Sequence, residues 1–519
     1  MKEPKNRIDF WEKIATMQIE EHPRQNQSGA KSMKTIREMV NREEFPVRIL
    51  QFGEGNFLRA FVDQMVDEAN QKNVFNGSII AVKPRAGGDL SLFEKQDFLF
   101  TVYRRGKEAG KLVSKPQAVS CVKKVIHCYD SYEEYMALAE ISSLEFVISN
   151  TTEAGIVFSQ DDTFAMRPPA SFPAKATQWL YRRFTHFSGA LDKGMTFLPT
   201  ELIENNGGEL KDCILRYGQL WNLGTEFLRW VEEACVFCST LVDRIVTGYP
   251  EDASACFQKL GYEDALLDAA EPFGFWAIED KGNVADRFPL DKAGLPVLFT
   301  QDITPYRERK VRILNGAHTG TAMAGYLAGA DTVGECMEDG LIRRFMERLV
   351  KTELAPTVPL PAEEAADFTR SAFERFENPY LHHSLLSIAL NSVSKWKARL
   401  LPSLRDFLQE HGALPPCAVF SFAALLAFYS AGYVQAPKGR RPEIRDETSV
   451  TAFFEVHGGE APQKLAYSAA SNASFWGEDL SRIPGFTEMA GKWLEVIRSE
   501  GMRAALEKLL YPLEKEAGV

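Results

Sequence analysis

Apolar and polar positions in the first half of the chain follow the pattern of short buried strands that alternate with amphipathic helices. Apolar runs predict strands at residues 47–52, 78–82, 145–150 and 195–199. After the first run, apolar side chains recur every three or four residues from Phe57 to Val66, which predicts a helix. Strands that alternate with helices imply a parallel α/β sheet.

Beyond about residue 290 the pattern becomes almost wholly helical. Apolar spacing predicts helices at residues 319–328, 340–352, 362–376, 385–401, 419–429 and 489–510. The sequence therefore predicts a Rossmann-like, parallel-sheet domain over residues 46–290 and an all-α substrate and catalytic domain over residues 291–519. Residues 1–45 form an N-terminal extension, partly helical at 33–41. A small-molecule site is most often built in the cleft between two such domains.

Composition and charge narrow the functional classes. The chain has 519 residues, of which 45% are hydrophobic, and a net charge of −11, as in a globular protein of more than one domain. An acidic chain without a basic block argues against nucleic-acid or acidic-lipid partners. The uncharged stretch 417–436 contains polar side chains and is interpreted as a buried helix, not a membrane span. With no apolar segment near the N-terminus, we expect a cytoplasmic protein, and the oligomeric state stays open.

Signals for disulfides and metal sites are weak. Eight cysteines are too few for a disulfide scaffold in so long a chain. The close pair Cys235 and Cys238 has no second pair of ligands and is interpreted as core packing. His382 and His383 also lack other ligand types nearby and are interpreted as a helix start. We therefore expect no metal site.

The first predicted strand runs into a turn that contains glycines and then into a helix. Such a turn lets the backbone approach a pyrophosphate, which binds to the free amides of the helix N-terminus. The third glycine of the usual motif is replaced by Leu58, and Arg59 offers a charge that could be directed at a phosphate. An ordinary strand–helix turn remains the alternative. The candidate cofactor-binding residues here are Gln51, Phe52, Gly53, Glu54, Gly55, Asn56, Phe57, Leu58, Arg59 and Ala60.

The next two predicted strands end in further cofactor candidates. The second closes on Lys83, and no acid follows until Asp89, whereas an acid at this point normally binds the adenosine ribose. A basic residue there suggests a 2′-phosphate and hence NADP, or simply a solvated strand end, and the residues alone do not decide. The third closes on the small polar residues Ser149 and Asn150.

A second constellation lies at residues 310–318. In an α-helix, Asn315 falls about 140° and His318 about 80° from Lys310, so the three side chains share one side. A lysine that exchanges a proton, an amide that polarises a carbonyl and an imidazole that orients a hydroxyl suit carbonyl/alcohol chemistry. The alternative is a surface lysine and a core histidine.

Two smaller features could join this constellation. Asn206 lies just past the fourth predicted strand, at the carboxyl edge where sites form in such sheets. Asp243 and Arg244 place an acid beside a base within an apolar run. Each feature alone is more often a turn or an ion pair.

These motifs together resemble the long-chain mannitol dehydrogenase family. The resemblance rests on Gly-x-Gly-x-Phe-x-Arg-Ala at 53–60, Asn-Gly at 206–207, Val-Asp-Arg-Ile at 242–245 and Lys-x4-Asn-x2-His at 310–318. It extends from about residue 45 to the C-terminus and implies metal-free, NAD(P)-dependent hydride transfer on a ketose or its acid.

The resemblance also implies roles for individual residues. Lys310 would be the acid in reduction and the base in oxidation, and Asn315, helped by Asn206, would stabilise the developing alkoxide. His318 and Asp243 would hold substrate hydroxyls. Lys395 matches a lysine on the substrate side, and Glu153 matches a glutamate near the site.

Departures from the polyol-oxidising members bear on the substrate. His383 stands where those members tend to have Asp, which removes a negative charge, and Arg307 adds a group suited to bind a carboxylate. Both favour a hexuronate-derived keto acid over a neutral polyol. Within the family, the chain most resembles the branch that reduces tagaturonate to altronate, and this resemblance implies NADH as the cofactor. Fructuronate reduction and mannitol-type oxidation are the alternatives in this class. A non-catalytic NAD(H)-sensing protein, the alternative in another class, would not need the 310–318 constellation.

Overall fold

The computed structural model describes residues 33–151, 155–434 and 442–516. The candidate Glu153 and residues 1–32 of the predicted extension lie outside these ranges. The strands are β1 (Lys34–Thr35), β2 (Val47–Phe52), β3 (Ser78–Lys83), β4 (Phe100–Glu108), β5 (Lys111–Val119), β6 (Val122–His127), β7 (Phe146–Ser149), β8 (Thr196–Pro199), β9 (Val236–Phe237), β10 (Thr240–Asp243), β11 (Val246–Gly248), β12 (Tyr262–Glu263), β13 (Asp268–Ala270), β14 (Phe275–Glu279) and β15 (Val297–Thr300).

The main sheet contains all four predicted strands. Its order is β6-β3-β2-β7-β8-β9, and every neighbouring pair is parallel. The predicted boundaries agree with the observed ones to within a residue at each end. The strand order reverses direction between β2 and β7, which makes the carboxyl ends of these strands the switch point where ligands bind in such sheets. The predicted parallel α/β fold class is confirmed for this half of the chain.

Helices cover both faces of the main sheet. Leu50 and Phe52 of β2 point to one face, and Ile49 points to the other, as the two-residue period of a strand requires. Both faces are apolar, as expected for a buried parallel sheet. Cys235 packs with the first face and Cys238 with the second, so both sulfurs belong to cores on opposite sides.

Smaller sheets accompany the main one and were not predicted. A hairpin of β4 and β5 joins β13 and β11, the strands β10, β14 and β15 form a third sheet, and β1 pairs with β12. The outer strand β5 is largely exposed, so its sequence lacks an apolar signal. Because β15 pairs with β14, residues 297–300 belong with the first half, beyond the predicted boundary at 290.

The helices follow the predicted division, with the long ones concentrated in the second half. In the first half they are Asn56–Leu58, Gln64–Gln71, Ser91–Lys95, Tyr132–Ala137, Phe172–His186, Asn206–Leu220, Thr225–Ala234, Ala253–Leu260 and Val284–Arg287. In the second half they are Thr304–Arg309, Gly316–Leu327, Val333–Glu338, Gly340–Arg348, Ala362–Phe376, Leu385–Ile388, Ser392–Arg399, Leu401–His411, Pro416–Tyr429, Thr448–His457, Pro462–Ala470, Ala473–Trp476, Phe486–Glu500 and Met502–Glu516.

Two predicted helices are interrupted and one predicted helical stretch is nearly absent. The helix predicted at 385–401 is divided at Asn391, and that at 489–510 at Gly501, where φ is 51° and 90°. Neither value fits a right-handed helix. Residues 33–41 contain only the 3₁₀ turn Ile36–Glu38 after β1, so the prediction of a helix there is largely wrong.

The uncharged segment forms the centre of the helical half. Helix Pro416–Tyr429 is buried from Cys417 to its end. It packs against Gly316–Leu327 and Phe486–Glu500 in one large apolar core. The prediction of a buried helix is confirmed. Within the described ranges, no helix has the length and apolar character needed to cross a bilayer.

Candidate active site

The turn after β2 leaves open space at the start of a helical segment, residues 56–71. Gly53 has φ 125°, and a Cβ there would come within 2.9 Å of Leu58 Cδ1 and 3.1 Å of the Asn150 carbonyl oxygen. Gly55 caps the segment with φ −73°, and a Cβ there would meet nothing within 4 Å. Free amides beside open space form a site for an anion, so the turn fits a pyrophosphate.

Leu58 and Phe57 occupy definite places beside this turn. Leu58 is buried and fills the space below Gly53, where the usual third glycine would let helix and strand approach more closely. Phe57 stacks on Phe61 with ring centroids 5.1 Å apart. Phe57 therefore presents a rigid aromatic wall to the cleft.

Arg59 does not face the turn. Its guanidinium is buried, donates to the Leu266 carbonyl oxygen and to Asn56 Oδ1 (2.5 Å), and lies 3.5 Å from Asp268 Oδ2. The prediction that its charge is directed at a phosphate is therefore wrong. Arg59 lies in the π-helical segment Arg59–Asp63, and the sequence pattern gave no sign of the wider turn.

Two further cofactor candidates support the turn through backbone or core contacts. Phe52 packs against Tyr135 and Phe172 in the core, with ring centroids 6.0 and 5.0 Å away. The Ala60 carbonyl oxygen accepts a hydrogen bond of 2.8 Å from Arg244. These residues shape the turn from behind.

Gln51, together with Asp63, supports the glycine turn from the buried side. Its Nε2 donates to the Gly53 carbonyl oxygen at 3.1 Å and lies 3.4 Å from Asp63 Oδ2. Burial raises the pKa of Asp63 to about 8, against the opposing effects of Gln51 and Arg59. Gln51 Oε1 and Asp63 Oδ1 have no hydrogen-bond partner within the described ranges. A protonated Asp63 can supply the donor that Gln51 Oε1 lacks.

Asp63→Asn is expected to stabilise the protein at pH 8 more than at pH 5. A carboxyl group whose folded pKa is raised stabilises the fold below its unfolded pKa of 3.8, and this contribution is lost as the pH rises toward about 8. Asparagine avoids the loss because it is never charged. Urea unfolding of both proteins at the two pH values measures the difference, and an equal or smaller gain at pH 8 contradicts the assignment.

The ends of β7 and β8 are tied together beside the turn. Ser149 Oγ donates to Glu201 Oε2 at 3.0 Å, and Asn150 Nδ2 donates to Thr200 Oγ1 at 2.9 Å. Burial raises the pKa of Glu201 despite its bonds from Thr151. Asn150 lies at the predicted cofactor edge, and Thr200 and Glu201, which close the next strand, complete it.

Asn206 is fully engaged in the fold. Its Nδ2 lies 3.0 Å from each of the carbonyl oxygens of Pro199, Glu201 and Thr240, and its Oδ1 accepts from the Thr240 amide at 2.9 Å. The side chain is buried and has no donor left for a substrate oxygen. In this structure Asn206 joins β8 to β10, and its predicted help in stabilising an alkoxide stays a prediction.

Lys310 reaches across from the helical half to the end of β10. Its Nζ donates to the Val242 carbonyl oxygen at 2.8 Å and lies 3.6 Å from Asp243 Oδ1. It lines a cavity of about 260 Å³ between the two halves. The other lining residues are Phe57, Asn150, Thr200, Glu201, Leu202, Val242 and Arg244. The structure thus brings the predicted lysine to the predicted cofactor edge.

Residues 310–315 form a π-helical segment instead of the predicted α-helix. The Gly316 amide bonds to the Val311 carbonyl oxygen, five residues back. This wider turn places Asn315 closer to the face of Lys310 than the α-helical angle of about 140° allows. Within the described ranges the Asn315 side chain makes no hydrogen bond, so its amide is available to a ligand.

Asp243 belongs to a buried ion-pair network that sequence reasoning missed in part. Arg375 donates to both Asp243 oxygens at 2.9 and 3.0 Å and to both Glu271 oxygens at 2.8 Å. The three side chains are 3%, 5% and 1% exposed. Asp243 therefore holds Lys310 and Arg375, and its predicted contact with substrate hydroxyls stays a prediction.

The two carboxylates of this network differ in acidity. Burial acts to raise the pKa of Asp243, but Arg375 and Lys310 outweigh it and the pKa is lowered. Burial raises the pKa of Glu271, and the charge and hydrogen bonds of Arg375 offset this effect only in part. Asp243 is thus the anion of the network that stays ionised beside Lys310.

The sequence contained a weak indication that Arg375 is buried and paired. It lies seven residues after Phe368 and three after Ala372, so it interrupts the apolar face of helix Ala362–Phe376. A charge on a buried face requires a partner, but only the fold shows that the partners come from β10 and the end of β13.

The histidine candidates lie together. The rings of His318 and His383 are 4.8 Å apart, and His318 is 4.7 Å from the Phe376 ring. Burial, then the charges of His383, Arg375 and Arg399, hold the pKa of His318 well below its usual range. Burial and the charge of Lys395 lower the pKa of His383. Both imidazoles are neutral at neutral pH.

The remaining basic candidates have different surroundings. Lys395 Nζ donates to the Ile388 carbonyl oxygen at 3.0 Å, beside His383. Arg307 lies 3.2 Å from Glu204 in the loop before Asn206. No trio of His, Cys, Asp or Glu in the described part of the chain is arranged to hold a metal ion.

Two family models match the chain. The model described as "Mannitol dehydrogenase Rossmann domain" matches residues 47–292, and "Mannitol dehydrogenase C-terminal domain" matches residues 302–497. An altronate oxidoreductase of Yersinia pestis is 42% identical over 480 residues, which cover 90% of this chain and 99% of the relative.

Two solved structures have the same fold. A substrate-free D-sorbitol dehydrogenase matches with a TM-score of 0.77 at 22% identity, over 89% of this chain and 95% of its own. Pseudomonas fluorescens mannitol 2-dehydrogenase, in a ternary complex with NAD and D-mannitol, matches with a TM-score of 0.65 at 21% identity, over 90% and 95%. These matches agree with a parallel-sheet domain followed by a helical one.

Proposed function

The chain belongs to the mannitol dehydrogenase family, and from this premise we propose that it reduces the keto acid tagaturonate reversibly to altronate with NADH and without a metal ion. The observation on which the proposal rests is the position of Lys310, which lines one cavity together with Phe57, just after the glycine turn, and Asn150, at the end of β7. The similarity to altronate oxidoreductases supports the choice of substrate.

The cofactor assignment follows from the shape of the turn. Gly55 leaves the start of the helical segment open, and Asn150 and Phe57 continue the same edge toward Lys310. A dinucleotide bound along this edge would have its pyrophosphate at Gly53–Gly55 and its nicotinamide near Asn150 and Thr200. Bound NADH supplies the hydride.

Lys310 provides the proton. An ammonium has three N–H donors, and here one bonds to the Val242 carbonyl oxygen and a second is directed at Asp243. The third is left for the substrate carbonyl oxygen. In reduction this proton moves to the oxygen as it gains charge, and in oxidation the free amine takes it back. The charge of the ammonium polarises the carbonyl group, which is the task a metal ion would otherwise perform.

Neighbouring side chains orient the substrate. The amide of Asn315, which the π-helical turn brings toward the face of Lys310, would donate to the same carbonyl oxygen. A neutral His318 can donate to or accept from a hydroxyl, which an imidazolium could do only as a donor. Lys395 and Arg307 would bind the end of the substrate that is remote from the reacting carbonyl group. The roles of all these residues are proposals.

The positive charges that the helical half contributes near the cavity favour a substrate with a carboxylate over a neutral sugar. Arg375 pairs with the two carboxylates, Asp243 and Glu271. The charge of Arg399 contributes to the lowered pKa of His318. The charge of Lys395 likewise contributes to the lowered pKa of His383. Positive charge in a partly buried cleft attracts an anionic substrate.

We expect the order tagaturonate, fructuronate, fructose in kcat/KM for NADH oxidation. A charge-assisted hydrogen bond to the carboxylate is worth roughly 1.5–3 kcal/mol, or roughly a 10- to 100-fold preference for the uronates over fructose. Assays with each substrate and with NADH or NADPH measure both preferences. Equal rates with fructose would contradict the carboxylate argument, a fructuronate preference would favour that alternative, and an NADPH preference would contradict the cofactor assignment.

A matched pair of variants tests whether His383 contributes to the preference for uronates. His383→Asp places a negative charge beside His318 and is expected to remove most of the uronate preference. His382→Asp makes the same change at the adjacent exposed position and is expected to leave the preference unchanged. If both variants behave alike, His383 does not face the substrate.

A further inference from the structure

We propose that Glu54 binds the adenosine ribose hydroxyls and makes the protein prefer NADH to NADPH. The carboxylate comes from the glycine turn after β2, and not from the end of β3, where the acid of this fold normally stands. The inference rests on the proposed function in one respect, that the turn holds a dinucleotide.

The end of β3 offers no free acid of its own. β3 closes on Lys83, and the next acid along the chain is Asp89. Asp89 accepts hydrogen bonds from the Ser91 amide, at 2.8 Å, and from the Ser91 hydroxyl, and these bonds lower its pKa. Its carboxylate is exposed and accepts these bonds from the first residue of the helix Ser91–Lys95. Asp89 is therefore engaged away from the sheet edge.

The side chain of Glu54 reaches from the turn after β2 to the end of β3. Its Oε1 lies 2.8 Å from Lys83 Nζ, so the carboxylate stands beside the end of β3, next to the position of the missing acid. The two side chains are 20% and 16% exposed. Glu54 Oε2 accepts no hydrogen bond within the described ranges and is open to the hydroxyls of a ribose.

Lys83 is held beside Glu54 by the loop that follows β3. A Cβ on Gly88 would lie 3.0 Å from both Cε and Nζ of Lys83, so the loop after β3 packs against the ammonium. His127 fixes that loop through a contact of 3.1 Å with the Gly87 carbonyl oxygen. Lys83 thus lies between Glu54 and the loop, which answers the sequence-based suggestion of NADP.

The charges at this edge oppose a 2′-phosphate. Lys83 and Glu54 together have no net charge, while a phosphate would bring a charge of about −1.5 to −2 beside the carboxylate. Arg85 is the nearest other cation in sequence, and its guanidinium is directed toward the Thr151 carbonyl oxygen, 3.4 Å away at the end of β7. The ribose hydroxyls of NADH, in contrast, are donors that a carboxylate accepts.

The test compares the dissociation constants of NADH and NADPH, measured by nucleotide fluorescence without any sugar. Glu54→Gln is expected to weaken NADH roughly 10-fold or more and to bind NADPH more tightly than the wild type does, because the carboxylate acceptor and its repulsion are both lost. Glu54→Asp is expected to retain part of the NADH preference. Asp89→Asn is the control at the ordinary position of the acid, and it should leave the ratio of the two constants unchanged.

The outcomes separate this inference from the proposed function. An unchanged ratio in Glu54→Gln, or a loss of NADH affinity in Asp89→Asn, would overturn the role of Glu54. If the wild type binds neither dinucleotide, the cofactor assignment itself fails. If it binds NADH and responds at Glu54 but does not reduce tagaturonate, the ribose assignment stands and the substrate assignment falls.

Discussion

Replacing Lys310 by alanine is expected to lower kcat by roughly 100- to 10,000-fold, the usual contribution of a general acid or base. The ammonium lines the cavity, and Val242 and Asp243 hold it in a fixed orientation. KM should change less than kcat, because the lost interaction forms mainly as the carbonyl oxygen gains charge. The variant should fold, because Asp243 keeps its bonds to Arg375.

Steady-state rates with tagaturonate and NADH measure this effect. Lys351→Ala is a matched control, since Lys351 also lies in a π-helical segment but is 53% exposed and pairs with Glu347. Small primary amines added to Lys310→Ala should restore part of the rate by supplying the missing proton donor. A kcat close to that of the wild type would remove Lys310 from its assigned role.

Replacing Arg375 by leucine is expected to lower the free energy of unfolding by about 3–5 kcal/mol at neutral pH. Removing one partner of a buried ion pair leaves the other charges buried without compensation, here the carboxylates of Asp243 and Glu271. The loss should be smaller at pH 5 than at pH 8, because protonation of the carboxyl groups relieves the repulsion between them. Activity should also fall, since Asp243 helps to orient Lys310.

Chemical denaturation of the wild type and the variants measures the change. Arg370→Leu is the control on the same helix, because Arg370 is 71% exposed and forms a surface pair with Asp367, which is worth roughly 1 kcal/mol or less. Arg375→Lys should lie between the two, since lysine keeps the charge but not the paired geometry. Equal effects of the two leucine substitutions would show that the network does not stabilise the fold.

The secondary structure near the cofactor edge was predictable because it depends on local pattern. The four predicted strands of the main sheet, β2, β3, β7 and β8, are mostly apolar runs, as burial on both faces favours, and Gly53 and Gly55 mark the turn. The hairpin of β4 and β5 lacked such a signal because β5 is mostly exposed. The breaks at Asn391 and Gly501 escaped because apolar spacing continues across them.

The sequence motifs predicted the location of the site residues better than they predicted the contacts that these residues make. Lys310, Asn150 and Phe57 line one cavity, and His318 contacts His383. Arg59 and Asn206 lie at the same edge but bind the protein itself. A sequence motif records that a residue type is required, and it does not record whether a ligand or the backbone requires it.

The sequence by itself determined the family and the order of a parallel-sheet half and a helical half, and it singled out Lys310 as the candidate catalytic lysine, because these depend on motifs and spacing along the chain. Only the tertiary structure decided which charges are already paired. Arg375 joins carboxylates from β10 and from the end of β13, and Glu54 joins the end of β3, across separations that no local pattern spans. Whether a charged side chain is available to a ligand depends on neighbours that are distant along the chain, because electrostatic interactions act through space.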